Sequence, residues 1–205
     1  MQRFRVIGFL VGLALLTQTV AAKPLPRKDR EPPPSGTPRV VIDTNHGKIV
    51  LELYADKAPL TVKNFLGYVD ERFYDGTIFH RVIPNFMIQG GGHLPALKEK
   101  KGFDPVKNES ANGLLNERGT IAVARRADPD SGTSQFFINT VDNKFLDRAN
   151  SRDMAGYCVF GKVVQGMEVV DQIRQVKTQG QGAHQDVPVQ DVIIQAIRRV
   201  ESAAP

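Results

Sequence analysis

Apolar residues along this chain follow two periods, and each period predicts a different element. Val40-Val41-Ile42-Asp43 and Lys48-Ile49-Val50-Leu51-Glu52-Leu53 flank Asn45-His46-Gly47, which predicts two strands joined as a hairpin. Val62, Phe65, Leu66 and Val69 stand at i, i+3, i+4 and i+7 behind Pro59, the buried stripe of a helix with proline in its first turn. Apolar segments at 77–83, 86–90, 120–125, 135–140 and 157–163 predict further strands. Met167, Val170 and Ile173 share one side of a second helix over 166–175, and Val192-Ile193-Ile194-Gln195-Ala196-Ile197 forms a final strand. No internal repeat is visible. Many short strands, two separated helices and glycine-rich turns predict a mainly β antiparallel barrel with helical caps. Closing a sheet removes its exposed edges.

The N-terminal part follows neither period. Met1-Gln2-Arg3-Phe4-Arg5 is positively charged, Val6 to Leu16 is apolar, and Ala21-Ala22 supplies small residues fit for cleavage. Residues 1–22 therefore read as a secretory signal. The apolar run is shorter than the ~20 residues a membrane-crossing helix needs, so no stable membrane insertion is expected after its removal. Residues 23–38 contain six prolines among charged residues, a composition that predicts an extended, disordered linker. The folded domain is expected over 39–205, in a protein exported to a space such as the bacterial periplasm.

Composition narrows the function. The chain has 205 residues, enough for one good core, with 41% hydrophobic and 24% charged residues. Its net charge is +5, but Arg3 and Arg5 lie in the signal, and Lys23, Arg27, Lys28 and Arg30 lie in the linker. No basic stripe with interleaved aromatics appears in the folded part, which argues against nucleic-acid binding. Cys158 is the only cysteine, so no intramolecular disulfide forms, and its apolar setting in Tyr157-Cys158-Val159-Phe160 predicts a buried thiol.

Few segments could carry chemistry. Ser131 and Ser134 have no histidine and acid partners at a readable spacing. Asp128-Pro129-Asp130-Ser131-Gly132 resembles a calcium loop only faintly, and reads as a turn. Gln89-Gly90-Gly91-Gly92 opens no helix, so phosphate binding is not expected. His46, His80, His93 and His184 are scattered without metal-ligand spacing, and neither metal nor cofactor is expected. Asn108-Glu109-Ser110 is a glycosylation sequon, meaningful only in a eukaryotic secretory pathway. What remains is Phe79 to Gly91 together with Ser134 to Asn139. These segments place Arg81, Gln89 and Gln135 among Phe86, Met87 and Phe137, which suits a dry apolar pocket with one strong donor. Strict strand alternation would turn Phe79 and Arg81 to one face and His80 and Val82 to the other. His80 is then a packed structural histidine rather than a general base.

These residues carry a resemblance. Tyr54-Ala55-Asp56-Lys57-Ala58-Pro59, Asn64-Phe65, Phe79-His80-Arg81-Val82-Ile83-Pro84, Phe86-Met87-Ile88-Gln89-Gly90-Gly91, Ser134-Gln135-Phe136-Phe137-Ile138, Phe145-Leu146-Asp147 and Val159-Phe160-Gly161-Lys162-Val163 resemble, in order, the cyclophilins, which are peptidyl-prolyl cis–trans isomerases. The short 70–78 connection and the signal make the chain most similar to the short exported bacterial members. The resemblance implies a closed eight-stranded antiparallel barrel capped by two helices, and a cofactor-free rotamase acting on proline-containing, unfolded or partly folded exported polypeptides. It implies Arg81 as the catalytic arginine and Gln89 as the residue that hydrogen-bonds and orients it. Phe86, Met87, Phe137 and Leu146 match the proline pocket, and Ala124 and Gln135 match the groove lining. Phe145 stands where the family often has tryptophan, Tyr157 where it usually has histidine, and Arg125 where it has asparagine. The tryptophan accompanies tight cyclosporin binding, so its replacement bears on inhibitor sensitivity. A monomer is expected. The competing reading of the same pocket is a chaperone that binds proline-containing segments without turning them over.

Overall fold

The computed structural model describes residues 37–200; the expected signal over 1–22 and the expected linker up to residue 36 lie outside the described residues. In chain order the elements are β1 (Arg39–Thr44), β2 (Gly47–Leu53), α1 (Pro59–Asp70), β3 (Thr77–Ile78), β4 (Arg81–Ile83), β5 (Met87–Gly90), β6 (His93–Leu94) and β7 (Lys98–Glu99). There follow β8 (Thr120–Val123), β9 (Phe136–Asn139), β10 (Val159–Gln165), α2 (Met167–Ile173), β11 (Thr178–Gln181), β12 (His184–Pro188) and β13 (Ile193–Arg199). Both helices and the 40–53 hairpin fall where the periodicity puts them. The expected strand over 77–83 is instead two strands, interrupted at Phe79-His80.

Nine strands form one antiparallel sheet in the order β3-β13-β1-β2-β10-β8-β9-β5-β4. This corrects the expected closed eight-stranded barrel: the sheet is open, and its edges β3 and β4 are not paired with each other. Only Phe79 and His80 separate the two edges in the chain, so three peptide units, at most ~11 Å, link them. The sheet must curl into a half-barrel to meet that limit. Among the described residues the two-residue β3 pairs only with β13. Phe79 N–H instead extends the β3–β13 pairing by donating to the Val192 carbonyl at 2.9 Å. A separate sheet of β11 and β12 lies against β4.

Strand alternation gives the half-barrel two working faces. Val40, Ile42, Ile49, Leu51, Val82, Ile88, Ile121, Phe136, Ile138, Phe160, Ile194 and Ile197 pack into the main core with Val62, Phe65, Leu66 and Val69 of α1. Burying each such side chain is worth about 1.5–3 kcal/mol. Two features seat the helices. The first turn of α1 has no side-chain cap of its own; Glu109, from a distant loop, accepts the backbone N–H groups of Leu60 at 3.1 Å and Thr61 at 2.8 Å. The chain enters α2 through Gly166, whose φ is +85°. A Cβ there would lie 2.2 Å from the Lys48 carbonyl oxygen, so no larger residue fits.

Candidate active site

The opposite sheet face builds the site. Register pairs Arg81 with Gln89 across β4 and β5, Gln89 with Phe137 across β5 and β9, Phe137 with Ala122 across β8 and β9, and Ala122 with Val159 across β8 and β10. Directly paired residues point the same way. One row therefore runs from a cation through an amide to an apolar floor. The residues between them in sequence, Val82, Ile88, Ile138, Ile121 and Phe160, belong to the main core.

Met87, Ala122, Phe137, Leu146 and Val159 form a second apolar cluster, with Ile83, Phe86, Leu114, Ala124 and Tyr157 packed around it. It thus gathers Phe86, Met87, Phe137, Leu146, Ala124 and Tyr157 from five separate stretches of sequence. Phe137 meets the Tyr157 ring edge-on at 5.8 Å between centroids, and Phe145, which is exposed, stands 5.4 Å from Phe86. Leu114, Ile83, Ala122 and Val159 were not distinguishable in the sequence from ordinary core. Leu114 comes from a loop, and only the tertiary fold brings it here.

Polar contacts fix these walls. Asn143 donates from Nδ2 to the Phe86 carbonyl at 2.8 Å and to Asn139 Oδ1 at 2.7 Å. The Leu146 carbonyl accepts Tyr157 N–H at 2.9 Å. Asp147 Oδ1 accepts Asn116 N–H at 2.7 Å, fixing the residue after Leu146. Arg125, almost wholly buried, lies over the Tyr157 ring at 4.4 Å and donates to the Gly156 carbonyl and the Asp153 carboxylate. Its hydrogen bond holds the Asp153 carboxyl down to about 2, below the usual range.

Gln135 is placed from behind. Asn64 of α1 donates to the Thr133 carbonyl at 2.8 Å, and the Tyr74 hydroxyl donates to the Ser134 carbonyl at 2.9 Å. Gln135 Oε1 then accepts Gln89 Nε2 at 2.9 Å. The glycine run beside it makes room: a Cβ on Gly92 would lie 2.4 Å from Gln135 Cγ. The Gln89 amide is opposite Arg81 in register but donates to Gln135. The charged group nearest the guanidinium is Asp186 of β12, whose Oδ2 stands 3.7 Å from Arg81 Nε.

The break at Phe79-His80 changes the expected alternation. Phe79 and Val82 are both fully buried in the main core, so Phe79 does not share a face with Arg81. His80 is buried against His93, with ring centroids 4.3 Å apart, and His93 lies 5.4 Å from His184. Three histidines far apart in sequence are thus neighbours, although among the described residues no three ligand side chains are arranged to hold a metal ion. Burial, then the neighbouring His93, His184 and Arg81, push the His80 imidazole down to about 3. It is neutral at neutral pH and carries no imidazolium proton to give. Burial also lowers His93. Burial pushes the Cys158 thiol up to about 11, and Thr61 Oγ1 contacts its sulfur at 3.6 Å. Asp128 forms a turn, its carbonyl accepting Ser131 Oγ at 2.6 Å, and the Asn108 amide is engaged by the carbonyls of Ala155 and Gly156.

An open β half-barrel that carries a second apolar cluster on one face, with Arg81 on the neighbouring strand, suits a protein that grips a peptide. Comparison with known proteins names the class. The family described as cyclophilin type peptidyl-prolyl cis-trans isomerase matches residues 39–199. A peptidyl-prolyl cis-trans isomerase of Acinetobacter baylyi is 58% identical over 159 residues, covering 78% of this chain and 84% of the relative. Peptidyl-prolyl cis-trans isomerase B of Escherichia coli is 57% identical over 159 residues, covering 77% of this chain and 97% of that protein. A crystal structure of a cyclophilin type isomerase from Cryptosporidium parvum superposes with a TM-score of 0.68 at 27% identity, covering 82% of this chain and 99% of the other. The chain belongs to the cyclophilin-type peptidyl-prolyl cis–trans isomerases and is an enzyme of that type.

Proposed function

We propose that this enzyme isomerises X–Pro bonds in exported polypeptides as they fold, with Arg81 stabilising the twisted amide. The single observation that carries the mechanism is the cross-sheet row, which sets Arg81 and Gln89 beside the Met87–Phe137–Leu146 floor. The case for export rests on the signal-like sequence of residues 1–22.

The chemistry follows from the bond. Amide resonance holds X–Pro planar behind a barrier of ~18–20 kcal/mol, and uncatalysed exchange takes tens to hundreds of seconds, on the order of 100 s. Millisecond turnover requires lowering that barrier by roughly 5.5–7 kcal/mol. No bond breaks and no proton leaves. At the half-rotated state the nitrogen regains its lone pair, and a guanidinium beside it favours that state over either planar form. A preorganised charged donor in a dry site supplies ~3–4 kcal/mol. Seating the proline ring among Phe86, Met87, Phe137 and Leu146, and moving the amide out of water, supplies the remainder. Gln89 and Gln135, joined to each other, form a fixed polar edge next to the guanidinium. Ala124 and Tyr157 bound the groove on the β8 side, and Phe145 extends the Phe86 wall outwards.

A proline-limited refolding assay tests this reading. Arg81→Ala is expected to keep the fold and lower isomerisation by about two decades or more, the loss of one preorganised donor. The wild-type rate should be flat from about pH 6 to 8, because no titrating base is used. Near-normal turnover in the variant would remove Arg81 from the mechanism. Sequencing the N-terminus of the mature protein tests export.

A further inference from the structure

The hairpin of β11 and β12 is not part of the nine-stranded sheet, yet β12 lies against β4, the strand that begins with Arg81. His184 and Asp186 are two residues apart on β12, where the register with β11 shifts. His184 reaches the histidine pair formed by His93 and His80. Asp186 reaches Arg81, the next residue after His80. Two neighbouring side chains of one strand thus land on the surroundings of two consecutive residues of another. Buried Val187 anchors the strand between them and the fold.

Asp186 also holds an unusual backbone. Its φ is +60°, in the left-handed region that few residues other than glycine, asparagine and aspartate adopt. Strain of this kind concentrates where a side chain has a task. The Arg81–Asp186 pair is about 40% exposed on both sides and 3.7 Å long, too open to hold the fold together. Its contact is through Nε. That leaves the two Nη groups of the fork free to face a substrate while limiting how far the side chain swings.

We propose that Asp186 is a positioning residue for Arg81, presented by the β11–β12 hairpin; this rests on the reading of Arg81 given above. Asp186 sets the guanidinium over the groove; among the described residues Arg81 donates no hydrogen bond to Gln89 Oε1, and Gln89 Nε2 donates to Gln135 Oε1. The group acts through Arg81 and not on the peptide.

The test measures isomerisation of an uncharged proline tetrapeptide by wild type, Asp186→Asn, Arg81→Lys and the double variant. Asparagine shares aspartate's tolerance of a left-handed backbone, so the fold is expected to be kept, and a thermal melt checks this. Asp186→Asn should lower kcat/KM about fivefold, the ceiling for a half-exposed ion pair, chiefly in kcat and with KM within about twofold. In the Arg81→Lys background the same substitution should change the rate less than about twofold. Raising salt to about 1 M should slow wild type and leave Asp186→Asn unchanged, because salt screens an exposed pair; this arm needs no comparison of folding. A wild-type rate for Asp186→Asn beside a strongly impaired Arg81→Lys would overturn the role of Asp186 alone. Equal losses from Asp186→Asn in both backgrounds would show that it acts by another route. An unimpaired Arg81→Lys would sink the reading of Arg81 and this proposal with it.

Discussion

Acidification from pH 7 to pH 5 should weaken the fold through its buried histidines. His80 titrates near 6.5 when unfolded and at about 3 in the folded protein. Between those values the unfolded chain binds a proton that the folded one does not, so stability rises with pH there. The contribution is complete above about 6.5 and is lost progressively as pH falls toward 3. At pH 5 the cost from His80 alone works out at about 2 kcal/mol relative to pH 7. His93 is shifted in the same direction and adds to the loss. Asp75, Asp153 and Asp171, all held below the usual carboxylate range by arginine partners, remain ionised at pH 5 and do not confuse the comparison. Urea unfolding at the two pH values measures the effect directly. With a slope of about 2 kcal/mol per molar, the wild-type midpoint should drop by about 1 M. His80→Gln removes the titrating group, so its midpoint should move by less than half as much, whatever its stability at pH 7. A wild-type loss below about 0.5 kcal/mol, or an unchanged pH response in the variant, would show that the imidazole is not held neutral by burial.

Other consequences are simpler to check. Glu109→Ala removes the acceptor for the two N–H groups that open α1, and should cost about 1–2 kcal/mol in chemical unfolding without changing kcat/KM. Cys158, buried and raised to about 11, should react with a thiol reagent at pH 8 at least about 100-fold more slowly in the native protein than in urea; fast native labelling would contradict its burial.

Much of the architecture was written in periodicity. The stripe from Val62 to Val69 could bury only as a helix, and the alternation in 40–53 could bury only as a hairpin. Closure of the sheet was not legible. Whether β3 and β4 join depends on Phe79-His80 stepping between the sheet edges, and two apolar-flanked residues look like strand until their hydrogen bonds are known. The extra hairpin was equally hidden, because Thr178–Gln181 is polar and exposed throughout and shows no period. Phe86, Met87, Ala124, Phe137, Leu146 and Tyr157 were legible as a set through their family resemblance and lie in one cluster, whereas Phe145 of the same set is exposed outside it. Leu114 and Asp186 were not legible. Leu114 comes from a loop 10 residues before Ala124, and Asp186 from a strand 29 residues after Tyr157, and nothing local distinguishes either. The three histidines looked scattered for the same reason.

The half-barrel has a consequence for redesign. On β4, β5, β8, β9 and β10 alternate positions serve different masters, one set packing into the main core and the other into the apolar cluster of the candidate site. Selectivity could therefore be recoded first at the partly exposed members of the second set, Ile83, Phe86, Ala124 and Tyr157, while every neighbouring codon stays fixed. A library built on that parity would search ligand preference with little loss of folded clones, whereas one that randomised contiguous stretches would spend most of its diversity on proteins that never assemble.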